Sequence, residues 1–447
     1  MATILAPYNT AMRLGTGFNS FTQQLCIDHA VVRDENAEKP LDITLLEKDI
    51  PQEVTYKTSI VDKVTDVTSA MNISAAFLIK YDNFDAKGKG DFLNTSKVKE
   101  SDVSFMISVK VVNQVIQDHS LTKFSPISGL KGQNFAEVYG DSFISGFQYG
   151  GEFTAVISVK ASDKVDSEDV KAKARILFTK DKLDLNINGK FDKESSSFLT
   201  ENETTISVTY TGGGQHLKER DEDWTFETMK AAALKFPHLV AQTPMRTHAI
   251  LTKYSSLRSY YAANVPTSLP SFEHAGVYTA LLQEAYLDYK TIAKNLQVLA
   301  YDVSSGDQVL LAPRAANESQ ESTYKHSTAS SPNSMVPVAN PNPPSKDGYT
   351  MTPLIVKTPY PPTLQGIEDA RSLVRLMLNR IVQEVDLISR MPELAAREDR
   401  ELPYMSPFLF KEYLPIGEPK PSIVDATGPA DSIPSLNQQI SGGKIFA

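Results

Sequence analysis

Between Tyr139 and Lys160 the chain reads YGDSFISGFQYGGEFTAVISVK, and this stretch constrains the fold more than any other. In its second half Phe153, Ala155, Ile157 and Val159 fall on one side. Glu152, Thr154, Ser158 and Lys160 fall on the other, with Val156 as the exception. A side-chain period of two is that of a half-buried strand. The strand opens on Gly150-Gly151, with Gly146 just before. Glycine inside a strand marks a bend, a bulge or a close backbone approach. The spacing therefore predicts a long strand that bends; an ordinary Gly-containing hairpin is the plainer alternative.

Other segments carry the same period. Met71, Ile73, Ala75, Phe77, Ile79 and Tyr81 share one face of an extended drawing, broken by Ala76 and Leu78. A polar run, Asp82 to Lys99, precedes a strand-like Val103 to Val112, a pattern that also fits a hairpin or meander with a solvated turn. Ala172, Ala174, Ile176 and Phe178 alternate with Lys171, Lys173, Arg175 and Leu177. After Lys180-Asp181-Lys182, Leu183, Leu185 and Ile187 alternate with Asp184, Asn186 and Asn188. The stretch SEDVKAKARILF can equally be drawn as a helix capped by Ser167. Thr204 to Tyr210 is a β-branched strand that Gly212, Gly213 and Gly214 should end. Leu41, Ile43 and Leu45 suggest a further short strand.

The chain then turns helical. Trp224 and Phe226 open an apolar-periodic stretch that Pro237 should stop, because proline lacks the N–H donor; Trp224 reads as a core anchor. Arg246, Tyr254, Arg258, Tyr260 and Tyr261 are either core tyrosines among surface arginines or a headgroup or glycan site. Residues 277–300 make one helix with a broad apolar stripe. Residues 314–362 have the Ser, Asn and Pro content of a linker. A second helix follows, with Ile367, Ala370, Val374, Met377, Ile381 and Ile388 on one face and a stop at Met391-Pro392. On a long linker it should contribute targeting, docking or autoinhibition. Residues 417–447 have the composition of a disordered tail.

With 447 residues and a formal charge of -9, the chain has room for two or three domains and argues against nucleic acid as its main partner. Cys26 is its one cysteine, which excludes an intrachain disulfide and a cysteine-rich metal site. His238, His248 and His274 lack metal-site spacing, and there is no phosphate-binding glycine loop, HExxH or nucleophile elbow. No enzyme, metal or cofactor is expected. No stretch reaches the 18 or so apolar residues of a membrane helix, and the N-terminus lacks the pattern of a secretory signal. The expectation is a cytoplasmic protein, or one released by a non-classical route. Amphipathic strands leave a much weaker membrane signal.

The run Tyr139 to Gly151 resembles the signature of the membrane-attack-complex/perforin (MACPF) family, a Tyr-Gly-Thr-His-aromatic run followed by a Gly-Gly pair. Tyr139, Gly140, Phe143, Gly150 and Gly151 match it, while Asp141 and Ser142 stand at the Thr and His positions. The resemblance covers residues 40 to 260. It implies an α+β fold: a bent, twisted four-stranded antiparallel sheet flanked by two helical clusters, as in the MACPF proteins and cholesterol-dependent cytolysins, within residues 1–260. It implies that 61–99 and 161–203 are helical at first and unfurl into membrane hairpins. Phe77, Ile79, Ala172, Ala174, Ile176, Phe178, Leu183, Leu185 and Ile187 would then face lipid, and Gly212, Gly213 and Gly214 would follow the second hairpin. A single hairpin leaves unpaired backbone edges in the bilayer, so insertion implies a monomer or small oligomer that assembles into a ring or arc on the membrane. Residues 261–313, a helical extension, and 363–416, a C-terminal helical segment, have no family counterpart. A non-lytic MACPF-like membrane- or partner-binding scaffold, or an unrelated soluble β-rich binding or structural protein, remain the alternatives.

Overall fold

The computed structural model describes residues 4–34, 51–61, 63–81, 101, 103–130, 135–160, 172, 198, 201–214, 217–218, 223–263, 271–315, 354–398 and 400–420. In chain order the strands are β1 (Ile4–Pro7), β2 (Gly17–Asn19), β3 (Gln24–Leu25), β4 (Val31–Arg33), β5 (Glu53–Val61), β6 (Val103–Gln117), β7 (Leu121–Phe124), β8 (Ser142–Lys160), β9 (Glu203–Thr211), β10 (Met245–Lys253), β11 (Gln308–Leu311) and β12 (Ile416–Pro419). The helices are α1 (Val64–Ala70), α2 (Ala75–Lys80), α3 (Phe135–Tyr139), α4 (Phe226–Gln242), α5 (Arg258–Ala262), α6 (Glu273–Ser305), α7 (Leu364–Arg390) and α8 (Pro407–Lys411).

The expected long strand, β8, is the spine of an eight-stranded antiparallel sheet. On one edge β6 pairs with it from Val103↔Val159 to Gln117↔Gly146. On the other edge two strands lie end to end: β10 along Ser142–Gly150, then β9 along Glu152–Lys160. With β5 outside β6, one half of the sheet has the order β5-β6-β8-β9, the four-stranded arrangement expected. The other half is completed by β1 on β10, and β2 meets β8 at Ser142 and Phe143. Register shifts fall between Val112 and Gln114 on β6 and between Arg246 and His248 on β10, flanking Gly150 on both sides. Bulges bend a strand and raise its twist, so the bend runs across the sheet at this level.

The two faces of the four-stranded half differ. Val103, Phe105, Ile107, Val109 and Val111 of β6 join Phe153, Ala155, Ile157 and Val159 of β8 in an apolar layer, packed against Met229, Ala233, Phe236 and Val240 of α4. Pro237 does not stop α4, which continues to Gln242. An interior proline costs about 3 kcal/mol. Burial of Phe236, Leu239 and Val240 around it, at roughly 1.5–3 kcal/mol per large side chain, outweighs that. Trp224 packs on the rim of this layer.

The opposite face is rich in hydroxyls. In register across the strands lie Thr55, Lys57 and Ser59 of β5, Ser104 and Ser108 of β6, Thr154 and Ser158 of β8, and Thr205, Ser207 and Thr209 of β9. Of these, Ser104, Ser108, Thr154 and Ser158 are buried. The strand expected to be half buried is therefore covered on both faces. The cover includes α1: Val64, Val67 and Met71 reach Met106 and Val156, the apolar residues among these hydroxyls.

Residues 71–81 are not extended. Ser74 caps α2 by accepting from the Phe77 amide at 3.0 Å, and Asn72 turns the chain between the helices with φ 55°. Ala76 and Leu78 break the alternation because the working period here is helical, which places Ala76 and Ile79 on one buried stripe. In the second insert Ala172 is also helical, and exposed. Ala174, Ile176, Phe178, Leu183, Leu185 and Ile187 lie outside the described residues, as does the strand suggested at Leu41–Leu45.

Helix α7 is not a tethered appendage. Its predicted stripe, Ile367, Ala370, Val374, Met377, Ile381 and Ile388, is buried against Leu282, Tyr286, Tyr289, Ile292 and Leu296 of α6, with Ala76 and Ile79 of α2 in the same cluster. It ends at Arg390, as Met391-Pro392 requires. A buried carboxylate ties the pair: Glu384 accepts from the Tyr278 hydroxyl at 2.9 Å and pairs with Arg400 at 2.7 Å. Burial and the adjacent Glu384 charge push the Tyr278 phenol well above its usual range. Part of the predicted tail is also structured, since β12 pairs with β11 from Leu311↔Ile416 to Gln308↔Pro419.

Candidate functional site

Of the signature residues, Tyr139, Gly140 and Phe143 gather where β8 begins. Tyr139 ends α3 and packs with Phe124, Phe135 and Tyr254, and Phe143 packs against Tyr254. The Tyr139 hydroxyl donates to the Ser125 carbonyl and accepts from the Ile127 amide, both at 2.8 Å, and Tyr254 donates to the Tyr139 carbonyl at 2.8 Å. Burial raises the Tyr254 phenol pKa far above its usual value, so the hydroxyl stays a donor. Gly140 has φ 73°, and a Cβ there would stand 2.1 Å from the Phe18 carbonyl oxygen. Asp141, at the family's Thr position, accepts from the Ser20 amide and hydroxyl at 2.7 Å. Burial raises its pKa even against those bonds. These residues weld the β2–β3 corner to the root of β8. Cys26 lies in the same corner, its thiol pushed up to about 12, chiefly by burial and further by Asp141.

Gly150 sits at the bend itself. A Cβ there would meet the Val111 carbonyl oxygen at 1.9 Å, so β6 and β8 approach as closely as only glycine permits. Gly151 faces Phe236 and Val240 of α4, and Gly212 folds back over the Gly150 carbonyl. Gly213 and Gly214 continue the left-handed turn out of β9, with φ 77° and 69°.

Beneath the α1–α2 turn, at the same level, is a polar cluster the sequence does not announce. Buried His248 of β10 lies 3.1 Å from the Asn72 amide nitrogen and 3.8 Å from Glu152 of β8, which also lies 3.5 Å from Lys110 of β6. His248 and Glu152 are about a hundred positions apart, and only the pairing of β10 with β8 joins them. Asn72 is held from the other side, its carbonyl accepting from Gln23 at 2.7 Å. Ser74 adds bonds to the Gln23 side chain and the Phe21 carbonyl. The α1–α2 turn is thus held to β10 through Asn72 and to the residues 21–23 turn through Asn72 and Ser74, beside the apolar contacts of α1 with Met106 and Val156.

Both inserts leave the sheet at one rim. Val61 pairs with Ser104, Val103 with Val159, and Lys160 with Glu203, so β5, β6, β8 and β9 all end together there. Residues 62–102 join one antiparallel pair and 161–202 join another. Of the residues expected to face lipid, Phe77 packs beside the α1 cluster and Ile79 is buried against α6 and α7. Tyr254 and Tyr260 are core residues. Arg246 stands apart from them, stacked on Phe147 at 4.4 Å and hydrogen-bonded to Tyr149 at 2.8 Å.

Among the described residues no group of His, Cys, Asp and Glu could hold a metal ion, and no helix is long and apolar enough to cross a membrane. No family model matches the chain, and no curated protein does. Solved structures match it in part. Against GNIP1Aa from Chromobacterium piscinae the identity is 13%, covering 56% of this chain and 52% of that one, with a TM-score of 0.32. Against stonustoxin it is 13%, covering 68% and 41%, with a TM-score of 0.34. Against a putative cell invasion protein with a MAC/Perforin domain from Bacteroides thetaiotaomicron it is 12%, covering 48% and 52%, with a TM-score of 0.23. The chain spans about half the length of these proteins or less. The likeness is weak and partial.

Proposed function

We propose that this protein is a pore-forming or membrane-remodelling protein that assembles on a bilayer and converts 61–99 and 161–203 from helices into amphipathic hairpins. One observation carries the reading: Ser104, Ser108, Thr154 and Ser158 are buried on the sheet face that α1 meets at Met106 and Val156, and α1 follows β5 directly at the rim where β5, β6, β8 and β9 end. A permanent core would place apolar residues there, as the α4 face does, because burying polar groups offsets much of the gain from burial. A face of serines and threonines is instead suited to meeting water once the cover leaves.

The lengths agree with this. A membrane strand takes about 9–11 residues at its tilt, so each insert has ample chain for a hairpin. The outer edges of β5 and β9 have no strand partner among the described residues. Ring closure through such edges would satisfy backbone groups that a lone hairpin leaves open. In this reading Phe77 and Ile79 exchange a helical packing site for lipid. Ala172, Ala174, Ile176, Phe178, Leu183, Leu185 and Ile187 would face lipid in the second insert.

The test is a reversible lock. In a Cys26→Ser background, cysteines replace Thr68 of α1 and Gln283 of α6, whose side chains meet at 3.5 Å. The oxidised protein should bind liposomes of mixed anionic and zwitterionic lipid without releasing trapped dye, and reduction should restore release. Binding and arc formation without release in the reduced, unlocked protein would favour the non-lytic scaffold. Release from the oxidised protein would refute withdrawal of the cover.

A further inference from the structure

Helix α2 belongs to the first insert, yet its packing partners lie in the C-terminal helices. Ala76 and Ile79 are buried in the cluster built by Leu282 of α6 and Ile381 and Val385 of α7. Lys80, at the end of α2, pairs with Asp386 of α7 at 2.6 Å. Lys63, just before α1, pairs with Glu284 of α6 at 3.0 Å. The α6–α7 pair is itself fastened by the buried Glu384–Arg400 contact and the Tyr278 hydroxyl. Of the two bodies meeting at this interface, α6–α7 is the long, internally braced one. The other is two short helices of seven and six residues. Helices so short are not stable alone in water, so their helical state depends on what they lie against.

We propose that α6 and α7 form an autoinhibitory clamp that keeps the first insert helical and over the hydroxyl face. The proposal rests on the pore reading for its purpose, but the clamp itself is a contact that can be measured without lipid. Its chemistry is an apolar socket for Ala76 and Ile79 rimmed by two opposite-charge pairs, with the cations on the insert and the carboxylates on the clamp. Ile79 has two alternative burial sites under this scheme, the socket or the bilayer, so leaving the socket is the step that commits it to lipid.

The experiment is a charge exchange read by a buried reporter. In a Cys26→Ser background Ala76→Cys is labelled by a maleimide in lipid-free buffer. Lys80→Glu and Asp386→Lys should each raise the labelling rate about five-fold, the scale of a partly exposed ion pair turned repulsive. The double variant Lys80→Glu/Asp386→Lys should return to within about two-fold of the parent, since the two sites are coupled. Hydrogen exchange of the 75–80 amides, in proteins with Ala76 intact, should follow the same order. Labelling rates in the single variants equal to the parent's, or additive rather than compensating effects in the double, would overturn the clamp. A liposome arm separates the two ideas. Shorter lag before dye release in the single variants supports the clamp as a gate, and unchanged lag with faster labelling overturns that gating role. If labelling follows the expected order but neither parent nor variant releases dye, the pore reading fails while the clamp stands.

Discussion

Replacing Ser104 and Ser158 together with valine should hold the helical cover shut. The two hydroxyls lie 3.1 Å apart on the covered face, beside Met106 and Val156. Replacing both partners of a buried hydrogen bond with apolar groups is close to neutral in itself. Each valine adds about one methyl-sized group to the apolar patch under α1, and at about 0.8 kcal/mol per buried group the pair contributes roughly 1.5 kcal/mol. Ser101, which meets the Ser104 hydroxyl at 2.8 Å, loses a partner but is not fully buried, so water replaces it at small cost. A net gain of about 1 kcal/mol corresponds to roughly a five-fold shift toward the covered state. Hydrogen exchange across 64–81 should slow by that factor, and the lag before dye release should lengthen in proportion. Because an added methyl can overpack, Ser104→Ala/Ser158→Ala is the control: it removes the hydroxyls without adding volume and should leave exchange nearly unchanged. Unchanged or faster exchange in the valine pair, together with faster exchange in the alanine pair, would mean that the hydroxyls hold the cover down. The reasoning from a detachable polar interface would then be refuted.

Glu384→Ala should destabilise the α6–α7 unit by about 3–5 kcal/mol, because it strands Arg400 in the interior; Glu384→Leu/Arg400→Met should recover most of this, measured as the urea midpoint. Asp118 is opposed by burial, but bonds from Ser120 and the Arg33 guanidinium at 2.7 Å outweigh that and hold its pKa below the usual carboxylate value. A depressed folded pKa contributes stability above the unfolded value of about 3.9, lost as pH falls through the folded value. Asp118→Asn should therefore flatten the acid limb of a melting-temperature profile, whereas Asp141→Asn, at a raised pKa, should remove a term of opposite sign. Gly150→Val should disrupt the fold rather than merely stop the sheet from opening, since its Cβ falls on the Val111 carbonyl; loss of soluble expression is the expected result, and a folded, lipid-binding variant would contradict the geometry. A chain ending after Ala315 should bind a hydrophobic dye and aggregate, because Leu282, Tyr289, Ile292 and Leu296 lose the cover of α7.

Sequence alone determined the elements whose pattern is local and strong. The alternation through Phe153 to Val159, the β-branched run before Gly212, and the stripe from Ile367 to Ile388 each place one face inward whatever else the chain does. The glycines at 140, 150 and 212 are legible too, since a backbone that must approach another backbone leaves no room for a Cβ. Tertiary structure decided the rest. Residues 71–81 fit an extended period almost as well as a helical one, and a socket on α6 and α7 selects the helix. Pro237 breaks a helix in isolation but not one whose far turn is buried on a sheet. Helix α7 follows a linker-like segment that says nothing of where it docks, and its partner stripe lies on α6, across that segment. The cluster of Asn72, His248 and Glu152 joins residues from a turn and two strands, so no spacing in the sequence encodes it. Local periodicity reports which face of an element is apolar; which surface covers that face, and whether the opposite polar face is also buried, depends on contacts between segments far apart in the chain.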